Sequence, residues 1–192
     1  MIAIIKYNGG NVNSVQNAVR RLNADSIITD DFDVIRNADK VIFPGVGEAS
    51  STMEGLKEKG LDLLIPSLTQ PVLGICLGMQ LMCGDNEEGN TIGMGIFDIS
   101  VKRFPAEDIV PHMGWNTISE FRSDLFSGIE KNSDVYFVHS YYCEQSEFTT
   151  SLCDYILPFS ASLQKNNFYA MQFHPEKSGT IGSRLLENFL KL

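Results

Sequence analysis

Residues 72–82 read VLGICLGMQLM, a short apolar run that breaks at a cysteine held between Gly74 and Gly78. Val72 to Cys76 has the length and hydrophobicity of a buried strand, and the LGMQLM that follows has the look of a helix that starts at once. A strand passing straight into a helix is the joint of a βαβ unit, so this stretch decides the fold class. Upstream, KVIFPGVG (residues 40–47) reads as another strand running into a Pro/Gly loop, with a helical segment reaching Gly60. SIIT (26–29) is a further short strand, and IAIIKY (2–7) is a buried one that ends in the turn-rich NGGN of residues 8–11. Between them NSVQNAVRRL (13–22) sets Val15, Ala18, Val19 and Leu22 at helical spacing, with Asn13 or Ser14 as the expected cap. Strand and helix alternate, which predicts a parallel sheet covered on both faces.

Beyond about residue 90 the texture changes. YFVHSYY (136–142), FSASLQ (159–164) and FYAMQF (168–173) are rich in aromatic and β-branched residues, as in mixed or antiparallel strands. The closing SGTIGSRLLENFLKL (178–192) places Ile181, Leu185, Leu186, Phe189 and Leu190 on one helical face. With no repeat and no linker, the expectation is one α/β domain over residues 1–192. Its central sheet is mostly parallel and flanked by helices, with mixed or antiparallel strands added in the second half.

Composition narrows the function classes. The 192 residues carry a formal net charge of −9, the wrong sign for nucleic acid or an anionic membrane as a partner. No apolar run approaches the roughly 18 residues of a membrane span. The N-terminus lacks a charged region and a small-residue cleavage site, so a cytoplasmic location is expected. Cys76, Cys83, Cys143 and Cys153 form no CxxC pair and His112, His139 and His174 are scattered, so the expectation is free thiols, no metal and no cofactor.

Gly-x-Cys-x-Gly at a strand-to-helix junction is the cysteine version of a nucleophile elbow: small neighbours permit the sharp turn, and the turn lifts the side chain above the sheet edge. Helical N–H groups aimed at the sulfur favour the thiolate, and the Leu77 amide is placed to donate to an oxyanion. A buried cysteine beside packing glycines is the plain alternative. A thiol nucleophile needs a base. QFHPEKSG (172–179) offers His174 and Glu176 two apart at a strand end, stiffened by Pro175, so that Glu176 fixes the tautomer and the other ring nitrogen faces the thiol. FPGVG (43–47) supplies a glycine-rich loop whose amides can turn toward an anion, or an ordinary Pro-Gly turn. NGGN matches neither the Rossmann nor the Walker spacing, which excludes a nucleotide site.

Taken together, PGVG, LGICLGMQL and QFHPEKSG resemble the class I (triad) glutamine amidotransferases. YNGGNVNSV, PHMGWN (111–116), YFVHSYY and GSRLLENFL make the chain most similar, within that family, to the glutaminase subunits of imidazole glycerol phosphate synthases. The similarity spans the whole chain. It implies a flavodoxin-like fold and glutamine hydrolysis to glutamate and ammonia. In that role Cys76 is the nucleophile, His174 the general base and acid, and Glu176 its orienting partner. The oxyanion hole would be the amides of Leu77 and of Val46, the latter after a peptide flip. Gly47, Gln80, Ser140 and Tyr141 match positions that hold L-glutamine. Asn11, Trp115 and Lys177 match positions that face the family's partner, a (β/α)8-barrel cyclase subunit that receives the ammonia. Lys6 departs from the small polar residue more usual there, and residues 85–108 match loosely. Two other readings stay open at this point: the same glutaminase paired with a synthase that aminates a surface-polysaccharide sugar, and a non-catalytic regulatory module.

Overall fold

Four short strands build the first part of the sheet that carries the site. In the computed structural model, which describes residues 1–7 and 11–192, β1 (Ile2–Ile5) lies between β2 (Ser26–Thr29) and β3 (Lys40–Gly45), and β4 (Val72–Cys76) follows β3. All of these pairs are parallel, and every residue of β1 and β4 is buried. That two-sided burial is why these strands read as continuous apolar runs rather than alternating ones. The connections carry α1 (Val12–Arg21), α2 (Phe32–Arg36), α3 (Ala49–Glu58) and α4 (Leu61–Leu64), and α5 (Leu77–Leu81) begins directly after β4.

The predicted cap of α1 is corrected by the structure. The helix starts at Val12 with Asn11 as its N-cap, ahead of both Asn13 and Ser14, and Asn11 makes no side-chain capping bond. Docking of Val15, Ala18 and Val19 on the sheet, rather than cap chemistry, sets where this helix sits. The part of NGGN at residues 8–10 lies outside the described residues. Helices α2 and α4, with five and four residues, are too short to show a periodicity in sequence. Asp31 nonetheless caps α2 by accepting from the Val34 amide at 3.0 Å.

The second half adds β5 (Cys83–Asn86), β6 (Thr91–Ile92), β7 (Phe97–Arg103), β8 (His112–Ser119), β9 (Ser133–His139), β10 (Tyr141–Cys143), β11 (Thr149–Tyr155), β12 (Leu157–Lys165) and β13 (Phe168–Met171). β13 pairs in parallel with β4 and antiparallel with β12, so it joins the two halves. The main path runs β2-β1-β3-β4-β13-β12-β10-β7-β5-β6, while β11 links β12 to β8 and β8 pairs with β9. Its first five strands have the flavodoxin-like order, and mixed pairing follows as expected. α6 (Gly179–Lys191) closes the chain with Leu185, Leu186 and Phe189 buried, and Ile181 and Leu190 pack at the margin of the same cluster. Two hydrophobic clusters form the core, one including Phe43, Leu56, Met79 and Phe97, the other Ile4, Leu73, Phe137, Phe159 and Phe189. Among the described residues no helix is long and apolar enough to cross a membrane.

Candidate active site

Cys76 ends β4 with φ 54° and ψ −111°, a backbone conformation that costs a non-glycine residue about 1–3 kcal/mol and persists only where its surroundings impose it. The flanking glycines do the imposing. A Cβ on Gly78 would overlap the Phe43 carbonyl of β3, and one on Gly74 would sit 2.7 Å from the Met82 sulfur and 3.1 Å from the Gly78 carbonyl. Bulk at either position would push α5 off the sheet. With glycine at both, the helix packs down and the Cys76 side chain is thrown out at the carboxyl end of β4, where ligands bind in open α/β sheets.

There it meets a cavity of about 330 Å³ lined by Cys76, His174, Val46, Gly47, Leu77, Gln80, Ser140 and Tyr141. Every residue singled out for nucleophile, base, oxyanion or substrate contact is at this cavity except Glu176, which lies behind the histidine. His174 Nδ1 stands 2.8 Å from Glu176 Oε1, and both side chains are 1% exposed. The His174 backbone is fixed as well: its N–H donates to the Tyr136 carbonyl at 2.9 Å and its carbonyl accepts from Ser178 Oγ at 2.7 Å. That leaves His174 Nε2 buried without a hydrogen-bond partner on the side of the thiol. Burial by itself lowers the basicity of this imidazole, but the adjoining Cys76 and Glu176 outweigh it and lift the pKa to about 10. Both neighbours thus favour the imidazolium, the form that can stand opposite a thiolate. The Cys76 thiol in turn donates to the Val138 carbonyl at 3.8 Å and accepts from Gln172 Nε2 at 3.7 Å.

The loop after β3 packs beside Tyr7. Burial holds the Tyr7 phenol well above its ordinary range, against the pull of the Val46 amide, which points to that phenol. Tyr7 itself donates to the Pro44 carbonyl at 2.7 Å. Gly47 has φ 118°, a conformation that glycine reaches freely, so the peptides beside Val46 have room to rotate.

Several residues at the cavity or behind it carry no sequence signal. Glu88 is half-buried at the cavity, accepts from the Ala49 amide at 2.9 Å, and has its carboxyl held above the usual range by burial. Gln172 is fully buried behind Cys76. His139 lines the cavity and pairs across strands with His112, their ring nitrogens 3.0 Å apart. Burial depresses both, His112 to about 4 and His139 to about 3. Neither takes a proton in the fold until well below the 6.5 of an unfolded histidine. Between pH 6.5 and about 4 the unfolded chain thus binds more protons at these two positions, and their contribution to stability, full above pH 6.5, is lost as pH falls. We expect the unfolding free energy to drop in that window by about 1 kcal/mol per pH unit per histidine. The drop should disappear from a His112→Gln, His139→Gln double variant, which urea titrations at several pH values would measure.

Of the three residues expected at a partner surface, Trp115 and Lys177 meet on Tyr136. Trp115 is 59% exposed with its ring edge-on to Tyr136 at 6.1 Å, and Lys177 Nζ lies 5.8 Å from the centre of the same ring. Asn11, half-buried, stands at the start of α1, hence at the carboxyl edge of β1. Among the described residues no group of three or more His, Cys, Asp or Glu side chains is arranged to hold a metal ion.

Solved structures with this fold include a putative GMP synthase component from Thermoplasma acidophilum, with a TM-score of 0.75, 19% identity and coverage of 99% of this chain and 92% of that one. A structure of PurLQS from Thermotoga maritima gives 0.71 at 15% identity, over 99% of this chain and 97% of that one. In sequence the chain is 61% identical to the imidazole glycerol phosphate synthase subunit HisH of Bacteroides fragilis, over all of this chain and 99% of the relative. It is 43% identical to the HisH of Escherichia coli K12, again over all of this chain and 99% of the relative. The model of the glutamine amidotransferase class-I family matches residues 3–192. An elbow cysteine, a buried His–Glu pair and a full-length match thus agree, and the chain belongs to the class-I glutamine amidotransferases.

Proposed function

We propose that this chain hydrolyses L-glutamine and delivers the ammonia to a (β/α)8-barrel cyclase subunit, which uses it to make imidazole glycerol phosphate and aminoimidazole carboxamide ribotide in histidine biosynthesis. The observation that carries the chemistry is a strained cysteine sharing one cavity with the unpartnered nitrogen of a buried, carboxylate-held histidine. Identities of 43–61% over the full chain with subunits of imidazole glycerol phosphate synthase support the pathway. In this reading Cys76 Sγ attacks the carboxamide carbon and His174 protonates the departing ammonia. The glutamyl thioester is then hydrolysed by a water that His174 deprotonates. Glu176 Oε1 holds Nδ1–H and so keeps Nε2 toward the sulfur. The Leu77 amide at the start of α5 and the Val46 amide, once rotated away from Tyr7, stabilise the tetrahedral oxyanion. Glu88 offers a carboxylate to the substrate's ammonium group, and Gly47, Gln80, Ser140 and Tyr141 complete the pocket. Ring formation is the partner's chemistry. A cytoplasmic setting belongs to the same reading and suits four unbridged cysteines.

His174→Ala is expected to be nearly as damaging to glutamine turnover as loss of the thiol, and Glu176→Gln milder by roughly a factor of ten to a hundred. Steady-state ammonia release by the two variants measures the gap, and equal losses would remove Glu176 from the orienting role.

Free ammonia is mostly ammonium at neutral pH and a poor nucleophile, so a synthase gains from receiving it inside a complex. Lys177 directly follows Glu176, and its neighbour Tyr136 accepts the His174 amide, so a partner seated on Lys177, Trp115 and Asn11 sits over the triad. Occupancy of the distant cyclase site would then raise glutaminase turnover by favouring the rotated Val46 peptide. Lys177→Ala is expected to weaken partner affinity by roughly tenfold and to remove most of the stimulation. The test is glutamine hydrolysis with and without the barrel partner, and with and without its phosphoribulosyl substrate. Wild-type affinity and stimulation in the variant would make Lys177 a solvated charge.

A further inference from the structure

A hydrogen-bonded chain of buried side chains ends on the sulfur of Cys76, and its direction is dictated by backbone carbonyls. The carbonyl of Tyr141 has no proton to give, so the Gln80 side-chain atom 2.9 Å from it must be the amide nitrogen. The second proton on that nitrogen faces Gln172 at 3.0 Å, so Gln172 must present its oxygen there. Its own amide nitrogen is thereby left facing Cys76 Sγ at 3.7 Å, with Gln172 0% exposed. The far side of the Tyr141 carbonyl is fixed in the same way. His139 Nδ1 donates to it at 2.7 Å, so His139 Nε2 accepts from His112 Nδ1, and His112 Nε2 accepts from Asn116 Nδ2 at 3.2 Å. Asn116 is oriented in turn by the Asp154 carbonyl at 3.0 Å, and it lies next to Trp115 in the chain.

We infer that Gln172 is a positioning residue for the nucleophile: held in one orientation by Gln80, its side-chain amide donates to Cys76 Sγ and favours the thiolate that His174 faces. The thiol form has an acceptor in the Val138 carbonyl, and the Gln172 donor serves the charged form instead. Amide donors to a charged acceptor are the stronger kind of hydrogen bond. A flip of Gln80 would set its oxygen against the Tyr141 carbonyl, and a flip of Gln172 would set its amide nitrogen against that of Gln80.

This inference rests on the reading of Cys76 as the nucleophile, and the test separates the two. The rate of Cys76 alkylation by iodoacetamide, an uncharged probe, is followed by peptide mapping at neutral pH alongside glutamine turnover, in the complex with the barrel partner. In Gln172→Met, which removes the donor, and Gln172→Glu, which keeps the shape, alkylation of Cys76 is expected to slow about tenfold, the factor carried by a hydrogen bond to a charged group. Turnover should fall in parallel with little change in KM. A merely structural role predicts the opposite sign, because loosened packing exposes the sulfur and speeds its alkylation. Alkylation at or above the wild-type rate in both variants would overturn the assignment, as would a Gln172→Glu chain that cannot fold. Should the methionine variant alone fail to fold, the isosteric glutamate variant decides. Full alkylation of Cys76 with glutamine turnover intact would instead sink the nucleophile reading and leave the Gln172 contact standing.

Discussion

Replacing Cys76 with alanine is expected to cut glutamine turnover by roughly 10⁴-fold or more while leaving the thermal unfolding midpoint close to wild type. The sulfur faces a cavity rather than the close-packed core, so its removal takes away few packing contacts. Alanine meets the same backbone strain at φ 54° as cysteine does, so the fold has no new conformational cost. What disappears is the one thiol that lines the cavity, and unassisted water there lacks both its nucleophilicity and its position. The other thiols are poor substitutes. Cys83 and Cys143 are fully buried with their sulfurs 3.6 Å apart, and Cys153 is pushed up to about 12 chiefly by burial. Near-normal turnover in Cys76→Ala, with loss in Cys83→Ala instead, would reassign the chemistry.

Gly78→Ala should also lose turnover, by a different route and together with stability. The added methyl group would fall on the Phe43 carbonyl, a backbone atom of a central strand that cannot swing aside. Relief requires α5 to lift from β3, and overpacking of that kind typically costs about 1–3 kcal/mol, sometimes more. The lift also moves Cys76 and the Leu77 amide, and a displacement of about 1 Å in a reacting group lowers turnover by roughly a hundredfold. Gly84→Ala is the matched control, because its methyl group would meet nothing closer than 3.6 Å. Chemical denaturation and ammonia release measure the pair, and a Gly78→Ala chain as stable and active as the control would contradict the packing explanation of the elbow.

These expectations trace to how unevenly the sequence exposes its structure. The parallel half is legible because its strands are buried on both faces and appear as bare apolar runs, with the helical stripe of α1 between them. β8 escapes because HMGWNTIS alternates burial with polar and aromatic residues that face outward, and its identity as a strand comes from pairing with β9. The positions of Cys76, His174 and Glu176 are legible because local constraints force them: glycines for a sharp turn, and a histidine and a glutamate on either side of Pro175, which the structure folds into the short 3-10 turn Pro175–Lys177 beyond β13. Gln172 sits two residues from His174 and passes unnoticed, since its meaning depends on Gln80, 92 positions away. His112 and His139 look scattered for the same reason, being 27 residues apart until an antiparallel register sets them face to face.

The most direct test of the account is to trap the covalent intermediate. The chain, in complex with the barrel partner and supplied with the phosphoribulosyl substrate, would be mixed with labelled glutamine, quenched in acid within one turnover, digested and mapped by mass spectrometry. The account predicts a glutamyl adduct on the peptide that contains Cys76, lost on treatment with hydroxylamine and never formed in Cys76→Ala. An adduct on any other residue, or rapid ammonia release from the Cys76→Ala chain, would contradict it.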